Sequence, residues 1–334
     1  MSTVASREVR LERRPYGAPT LEDFSLAAIA VPSPREGEVQ VRNRFISVDP
    51  YMRGRMNDLP SYVPPFQVGV ALDGGAIGEV VASRSPEFRA GDIVTSSRGW
   101  RECFVATPAE LRKVNAPLAP LSLYLGALGM TGLTAWAGLR LIDVRAGDRV
   151  FISGAAGAVG SVAGQLAHLA GCRVVGSAGS AEKVKVLTSE LGFDAAFDYR
   201  TGDLAGQLAT AAPEGIDVYF DLVGGAQLEA ALSSMRLHGR VIACGAISQY
   251  NDVTPPAGPH NLGLVIGKRL TIKGLIAGDW SESLPTLRKE VGGYLVEGRL
   301  QARETVVEGI EQAAQAFLDM MRGGNIGKMV VKVG

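Results

Sequence analysis

Three glycines stand in Gly154-Ala-Ala-Gly157-Ala-Val-Gly160, after the apolar run Arg149-Val-Phe-Ile-Ser and before Ser161-Val-Ala-Gly-Gln-Leu-Ala-His. The first run reads as a strand and the last as an amphipathic helix over about 157–170. Strand, glycine turn and helix in that order make an anion site. Gly157 would let the backbone approach a pyrophosphate, Gly160 would let the helix press onto the sheet, and the helix N-terminus offers N–H groups to the charge. The pattern is Ala155-x-Gly157-x-x-Gly160, so the first glycine of the usual fingerprint is replaced. A turn with a packing role alone is the competing reading.

About twenty residues past these glycines, where a dinucleotide fold usually places Asp or Glu on the ribose hydroxyls, the chain has Gly176-Ser177-Ala178-Gly179-Ser180. Lys183 follows, with Lys185 and Arg200 nearby. A 2′-phosphate would meet hydroxyls and positive charge there, which favours NADPH over NADH. The alternative is that Lys183 is an ordinary solvated lysine on a helix.

Other chemistries lack their residues. The only histidines are His168, His238 and His260, and the only cysteines are Cys103, Cys172 and Cys244. Cys103 alone precedes the glycine turn, so the ligands of a catalytic zinc and the cysteine cluster of a structural zinc are both missing. No Ser/His/Asp grouping or paired-carboxylate motif stands out. The histidines are read as structural: one on a helix, one before a turn glycine, one in a proline-rich loop.

The elements that must hold this site fall into two textures. From Val39 to about Val114, short β-branched runs such as Val39-Gln-Val-Arg, Gly78-Glu-Val-Val, Asp92-Ile-Val-Thr and Cys103-Phe-Val-Ala alternate with glycine turns, which suggests a small β-barrel. After Pro117 the chain becomes alanine- and leucine-rich, with one or two helices expected over Ser122–Leu141. Strands and helices then alternate as far as Gly239-Arg-Val-Ile-Ala-Cys244, the mark of a parallel, doubly wound sheet. Leu295–Leu300, Thr305-Val-Val and Gly327–Val333 read as strands returning to the first domain, with a helix over Ile310–Met321 between them.

Size and charge agree. At 334 residues the chain exceeds what one core usually fills, so two domains are expected. Its 46% apolar and 20% charged residues suit globular domains. Lys plus Arg equals Asp plus Glu at 34 each, which leaves no basic surplus for a nucleic acid and no polybasic run for a membrane. Without an apolar leader among the first residues or a long apolar span, a cytoplasmic place is expected.

The chain resembles the zinc-free medium-chain dehydrogenase/reductases, in particular the leukotriene B4 dehydrogenase/prostaglandin reductase and alkenal or curcumin reductase group. The resemblance rests on Ser47-Val-Asp-Pro-Tyr-Met-Arg53, Gly129-Met-Thr-Gly-Leu-Thr-Ala-Trp136, Gly154–Gly164, Lys183-Val-Lys, Phe220-Asp-Leu-Val-Gly-Gly225, Cys244-Gly-Ala-Ile-Ser-Gln-Tyr250 and Gly324-Asn-Ile-Gly-Lys328. It implies an α/β fold: a Rossmann domain, placed at 122–288, and a discontinuous GroES-like β-barrel domain of 1–121 and 289–334.

It also implies NADPH held by Gly157, Ala158, Val159 and Gly160, with Ser177, Gly179, Lys183 and Tyr199 near the 2′-phosphate. Met130, Thr134, Val223, Cys244, Gly245, Ala246, Ile247, Ser248, Tyr250, Leu275, Ile276, Ala277 and Asn325 would contact the rest. Leu222 stands where the family often has Asn, and Thr131 where it often has Pro. The implied reaction is metal-independent hydride transfer to the β-carbon of an α,β-unsaturated aldehyde or ketone, followed by protonation at the α-carbon. Tyr51 and Tyr250 are the candidate donors to the developing oxyanion. Tyr51, Met52, Met130 and Tyr250 would line the substrate pocket. A quinone oxidoreductase and a non-catalytic NADPH-binding sensor are the other readings. A homodimer is implied, with Leu270-Thr-Ile-Lys-Gly-Leu-Ile276 as the pairing edge.

Overall fold

The structure, a computed structural model, describes residues 3–115 and 120–334. Pro117, where the composition changes, lies outside them.

The first strands are β1 (Thr3–Leu11) and β2 (Phe24–Pro32), which pair antiparallel, then β3 (Val39–Ser47) and the single-turn helix α1 (Tyr51–Arg55). β4 (Ala76–Ser83), β5 (Ile93–Ser96), β6 (Cys103–Ala106) and β7 (Arg112–Lys113) follow. The helix α2 (Met130–Leu141) and strand β8 (Arg149–Ile152) open the alternating part. It continues through α3 (Gly160–Leu169), β9 (Arg173–Ala178), α4 (Ala181–Ser189), β10 (Ala195–Asp198), α5 (Leu204–Ala211) and β11 (Ile216–Asp221). Then come α6 (Gly225–Ser234), β12 (Met235–Ala243), α7 (Gly263–Gly267), β13 (Thr271–Gly274) and α8 (Leu284–Val296). The last elements are β14 (Glu304–Glu308), α9 (Ala313–Met321) and β15 (Lys328–Lys332).

These elements form two units: Met1–Leu125 with Thr305–Asn325 and Met329–Gly334, and Gly126–Glu304 with Ile326–Lys328. In the first, a sheet runs β14-β15-β3-β4-β5-β7, with β6 also paired to β3. One side of its core is aromatic: Trp100 stacks on Phe24 at 6.1 Å and meets Phe317 of α9 edge-on at 6.2 Å.

In the second unit six parallel strands run β10-β9-β8-β11-β12-β13. The order reverses between β8 and β11, so a crevice opens beyond their carboxyl ends. Val150, Phe151 and Ile152 of β8 are fully buried, as a strand covered on both faces requires. Phe151 stacks on Tyr219 of β11 at 5.1 Å.

The expected strand over Leu295–Leu300 is corrected. Leu295 and Val296 finish α8, and Gly298 at φ +69° turns the chain, so that the Arg299 and Leu300 N–H groups both return to the Tyr294 carbonyl. A short apolar run cannot distinguish a helix end from a strand. α8 therefore stays with the second unit, which extends to Glu304, whereas 288 was expected.

Candidate functional site

The glycine turn leaves β8 through the fully buried Ser153, and Gly154 takes φ +60°. The Ala155 N–H donates to Ser177 O on β9 at 2.9 Å, which ties the turn to the neighbouring strand. A Cβ on Gly160 would stand 2.6 Å from Gly154 O and 2.7 Å from the Ala155 Cα, so only glycine lets α3 start so close to the turn. Gly164 and Gly176 are equally confined, each against the Phe193 ring. Helix α3 begins after Val159 with no side chain capping it, and Gly157, Ala158 and Val159 are part-exposed in front of it.

At the end of β9, a Cβ on Gly179 would lie 3.1 Å from Arg200 Nε and 3.2 Å from the Tyr199 hydroxyl. Ser180 caps α4 by accepting the Lys183 N–H at 3.3 Å. Burial, then the positive charge of Arg200, holds the Lys183 ammonium below its ordinary pKa. Tyr199 and Arg200 thus close on the bare backbone of Gly179, and the charge of Arg200 also acts on Lys183. The carboxylate of Asp198 at the end of β10 accepts the Arg200 main-chain N–H at 3.0 Å. Ser177 is different from the expectation for its side chain: it is fully buried, and its hydroxyl donates to Gln227 Oε1 at 2.5 Å.

The ends of β11 and β12 are knotted together by Asp221. Its Oδ1 accepts the Tyr219 hydroxyl at 2.8 Å and the Val223 and Gly224 N–H groups at 3.0 and 2.8 Å. Its main-chain carbonyl accepts the N–H groups of Cys244 and Gly245, each at 3.0 Å. Burial raises the Asp221 pKa, against the pull of these donors. Val223 O accepts the Ser248 N–H and hydroxyl at 3.2 and 2.6 Å, and the Ile247 N–H returns to Leu222 O. Leu222, in place of the family's Asn, contributes backbone bonds: its N–H goes to Ser153 Oγ at 3.0 Å.

The Tyr250 hydroxyl accepts the Ala246 N–H at 3.3 Å, and burial raises its pKa. The half-buried Cys244 thiol is pushed up to about 12 by burial and then by the Asp221 charge.

Leu275, buried, follows β13 and donates its N–H to Ala243 O at 3.1 Å, with Ile276 exposed beside it and Ala277 next. On α2, Met130 is 53% exposed, Thr134 returns its hydroxyl to Met130 O at 2.8 Å, and Thr131 bonds Gly126 O at 3.0 Å.

In the first unit Tyr51 opens α1. Burial and the charge of Asp49 raise its phenol far above the ordinary range, against the opposing effect of Arg55. Met52 is corrected: it is fully buried in the core with Met56, Leu72 and Trp100, beneath Gly74, and does not line a pocket. Asn325 belongs to the first unit, at the end of the turn after α9.

Residues 7–114 match the model for the N-terminal domain of oxidoreductases, and residues 158–291 match that for zinc-binding dehydrogenases. Over 97% of its length the chain is 40% identical to the NADPH-dependent curcumin reductase of Escherichia coli, covering 95% of it. The chain belongs to the medium-chain dehydrogenase/reductase superfamily. This superfamily member is also 40% identical to a 2-alkenal reductase (NADP(+)-dependent) of Nicotiana tabacum, over 99% of this chain and 98% of that one. CurA from Vibrio vulnificus in complex with NADPH superposes with a TM-score of 0.94 at 37% identity, covering 98% of this chain and 99% of the other.

The zinc of the second family's description does not fit this dehydrogenase/reductase. Among the described residues no three His, Cys, Asp or Glu side chains stand together as a metal site. Arg200 was read from the sequence as positive charge near the 2′-phosphate, whereas Asp221 was not placed in the site by sequence reasoning. Nothing local signals that Asp221 holds two loops.

Proposed function

We propose that this protein is an NADPH-dependent reductase of the C=C bond of α,β-unsaturated aldehydes and ketones. The observation that carries the reading is the end of β9, where Arg200 and Tyr199 approach the bare backbone of Gly179 and the Arg200 charge acts on Lys183, with no carboxylate among residues 176–180. The residues fit NADPH. Gly157–Gly160 and the first turn of α3 would hold the diphosphate, and Lys183, Tyr199 and Arg200 the 2′-phosphate. Val223, Cys244–Ser248, Leu275–Ala277, Met130, Thr134 and Asn325 are the remaining proposed contacts.

When bound, NADPH supplies a hydride to the β-carbon. The protein's part is to hold the carbonyl oxygen as it gains charge and to deliver a proton to the α-carbon. With no metal ligands grouped among the described residues, this role is given to hydrogen-bond donors. Tyr250 is suited because Ala246 occupies its acceptor side, which leaves its O–H for another oxygen. Tyr51 is suited because its raised pKa keeps the proton in place through neutral pH. Each is proposed on its own ground. NADPH oxidation with a panel of 2-alkenals, enones and quinones tests the reading, and turnover of quinones alone would replace it.

The β13 edge supports a homodimer. Thr271–Gly274 are exposed along an outer strand bonded to β12, with Ile272 43% exposed. An uncovered strand edge invites a second copy. Light scattering that gives a monomer mass would refute it. No described helix is long and apolar enough to cross a membrane. Three unpaired cysteines suit a reducing cytoplasm.

A further inference from the structure

The structure assigns Asp221 as a positioning residue: its carboxylate and its own carbonyl hold the loops after β11 and β12 in one register, so that both present their backbones to the cofactor together. This rests on the NADPH reading above. The two halves of the residue act on different loops. Oδ1 takes the N–H groups of Val223 and Gly224, and the main-chain oxygen takes those of Cys244 and Gly245. One residue therefore fixes Val223 relative to Cys244.

The clamp has its own support. Tyr219, fully buried on β11, donates its hydroxyl to the same Oδ1 at 2.8 Å and sits 3.0 Å from Ser153 Oγ. Ser153 in turn accepts the Leu222 N–H and leads into Gly154 of the glycine turn. Three strand ends, those of β8, β11 and β12, are thereby joined through buried polar atoms. Gly224 and Gly225 take φ +69° and +53°, so this loop bends as few residues can. Its two inward N–H groups would be orphaned without an anion beneath them.

A carboxylate suits this role better than an amide. A single oxygen within reach of four donors, the Tyr219 and Ser153 hydroxyls and the Val223 and Gly224 N–H groups, gains from a full charge, and such bonds are about twice as strong as neutral ones. Asp221→Asn keeps the shape and one acceptor oxygen, while Asp221→Ala removes both. The graded pair separates positioning from loss of fold.

The test is an NADPH fluorescence titration of the full chain, with hydrogen exchange at the Val223 and Gly224 amides measured without cofactor. Asp221→Ala should weaken NADPH binding by about tenfold or more, the loss expected for a charge-assisted hydrogen bond. Those two amides should exchange faster while β8 and β9 stay protected. Asp221→Asn should recover most of the affinity. Tyr219→Phe, which leaves both loop bonds in place, should change it by less than about threefold. If Asp221→Ala does not fold, Asp221→Asn and Ser153→Ala carry the test, with exchange at 222–224 accelerated in both. Folded variants with wild-type affinity and unchanged exchange would overturn the assignment. Failure of the wild type itself to bind NADPH would instead remove the cofactor reading.

Discussion

The carbonyl oxygen of Gly154 lies only 2.6 Å from where a Cβ on Gly160 would stand. Backbone, not a flexible side chain, fills that space, so the start of α3 cannot take even a methyl group without moving. Gly160→Ala should cost about 1–3 kcal/mol of stability by overpacking. It should also displace the helix N-terminus from the diphosphate and weaken NADPH binding by roughly tenfold. Thermal unfolding and an affinity titration check both, and unchanged affinity would show that α3 does not carry the diphosphate.

The positive charge of Arg200 disfavours the charged form of Lys183, against the opposing charge of Glu182, and a bound phosphate would offset that repulsion. Lys183→Ala or Arg200→Ala should raise KM for NADPH by roughly ten- to a hundredfold, about 1.5–3 kcal/mol for a charged hydrogen bond, and leave KM for NADH nearly unchanged. Equal losses with both cofactors would show that the cluster does not read the 2′-phosphate.

The same pair sets a pH dependence. Lys183 has a lowered pKa in the protein alone, so its charged form is disfavoured there, and a bound phosphate should raise it again. NADPH binding should therefore take up protons on the alkaline side of neutrality and weaken as pH rises through the free protein's Lys183 pKa. Calorimetry in buffers of different ionisation heat measures the uptake, which Lys183→Ala should abolish.

How far the sequence reaches depends on whether a residue's partners are local. Gly157 and Gly160 could be read because a strand–turn–helix needs glycine at those spacings. Lys183 and Tyr199 follow from the missing carboxylate and the family motif. Met52 could not be read: one residue along a helix rotates the side chain by about 100°, which turns it from Tyr51's face into the core. Nor could Ser177, whose hydroxyl partner Gln227 is 50 residues away. Leu295–Leu300 failed because its apolar run ends a helix whose turn signal, Gly298, lies inside the same run.

The cysteines should resist conjugated electrophiles such as 2-alkenals. Burial pushes Cys172 up to about 11 and Cys244 up to about 12, and raises Cys103 as well. Thiolate is the nucleophile, and at pH 7.5 less than about one in a thousand of the Cys172 and Cys244 thiols would carry that charge. Intact mass after exposure to a 2-alkenal without NADPH should show no thiol adduct at neutral pH, and adducts only as pH climbs. Rapid alkylation of Cys244 at pH 7 would contradict this.

In the first unit Asp92 accepts Lys113 Nζ at 2.7 Å and the Arg89 N–H at 3.0 Å, which hold its carboxyl below the ordinary range. A depressed folded pKa stabilises above the unfolded value, about 3.9, and the gain disappears as pH falls through the lower folded value. Asp92→Asn should lower Tm at pH 7 by the equivalent of up to about 1 kcal/mol. The gap to wild type should close in acid, and a constant gap would assign the loss to packing.

The most direct test of the account supplies the protein with NADPH and a 2-alkenal, follows cofactor absorbance, and identifies the product by mass spectrometry with NADPH deuterated at nicotinamide C4. The account predicts the saturated aldehyde with deuterium on the β-carbon, and turnover that depends on the 2′-phosphate. An allylic alcohol with deuterium on the carbonyl carbon, or no NADPH consumption with any conjugated carbonyl, would contradict it.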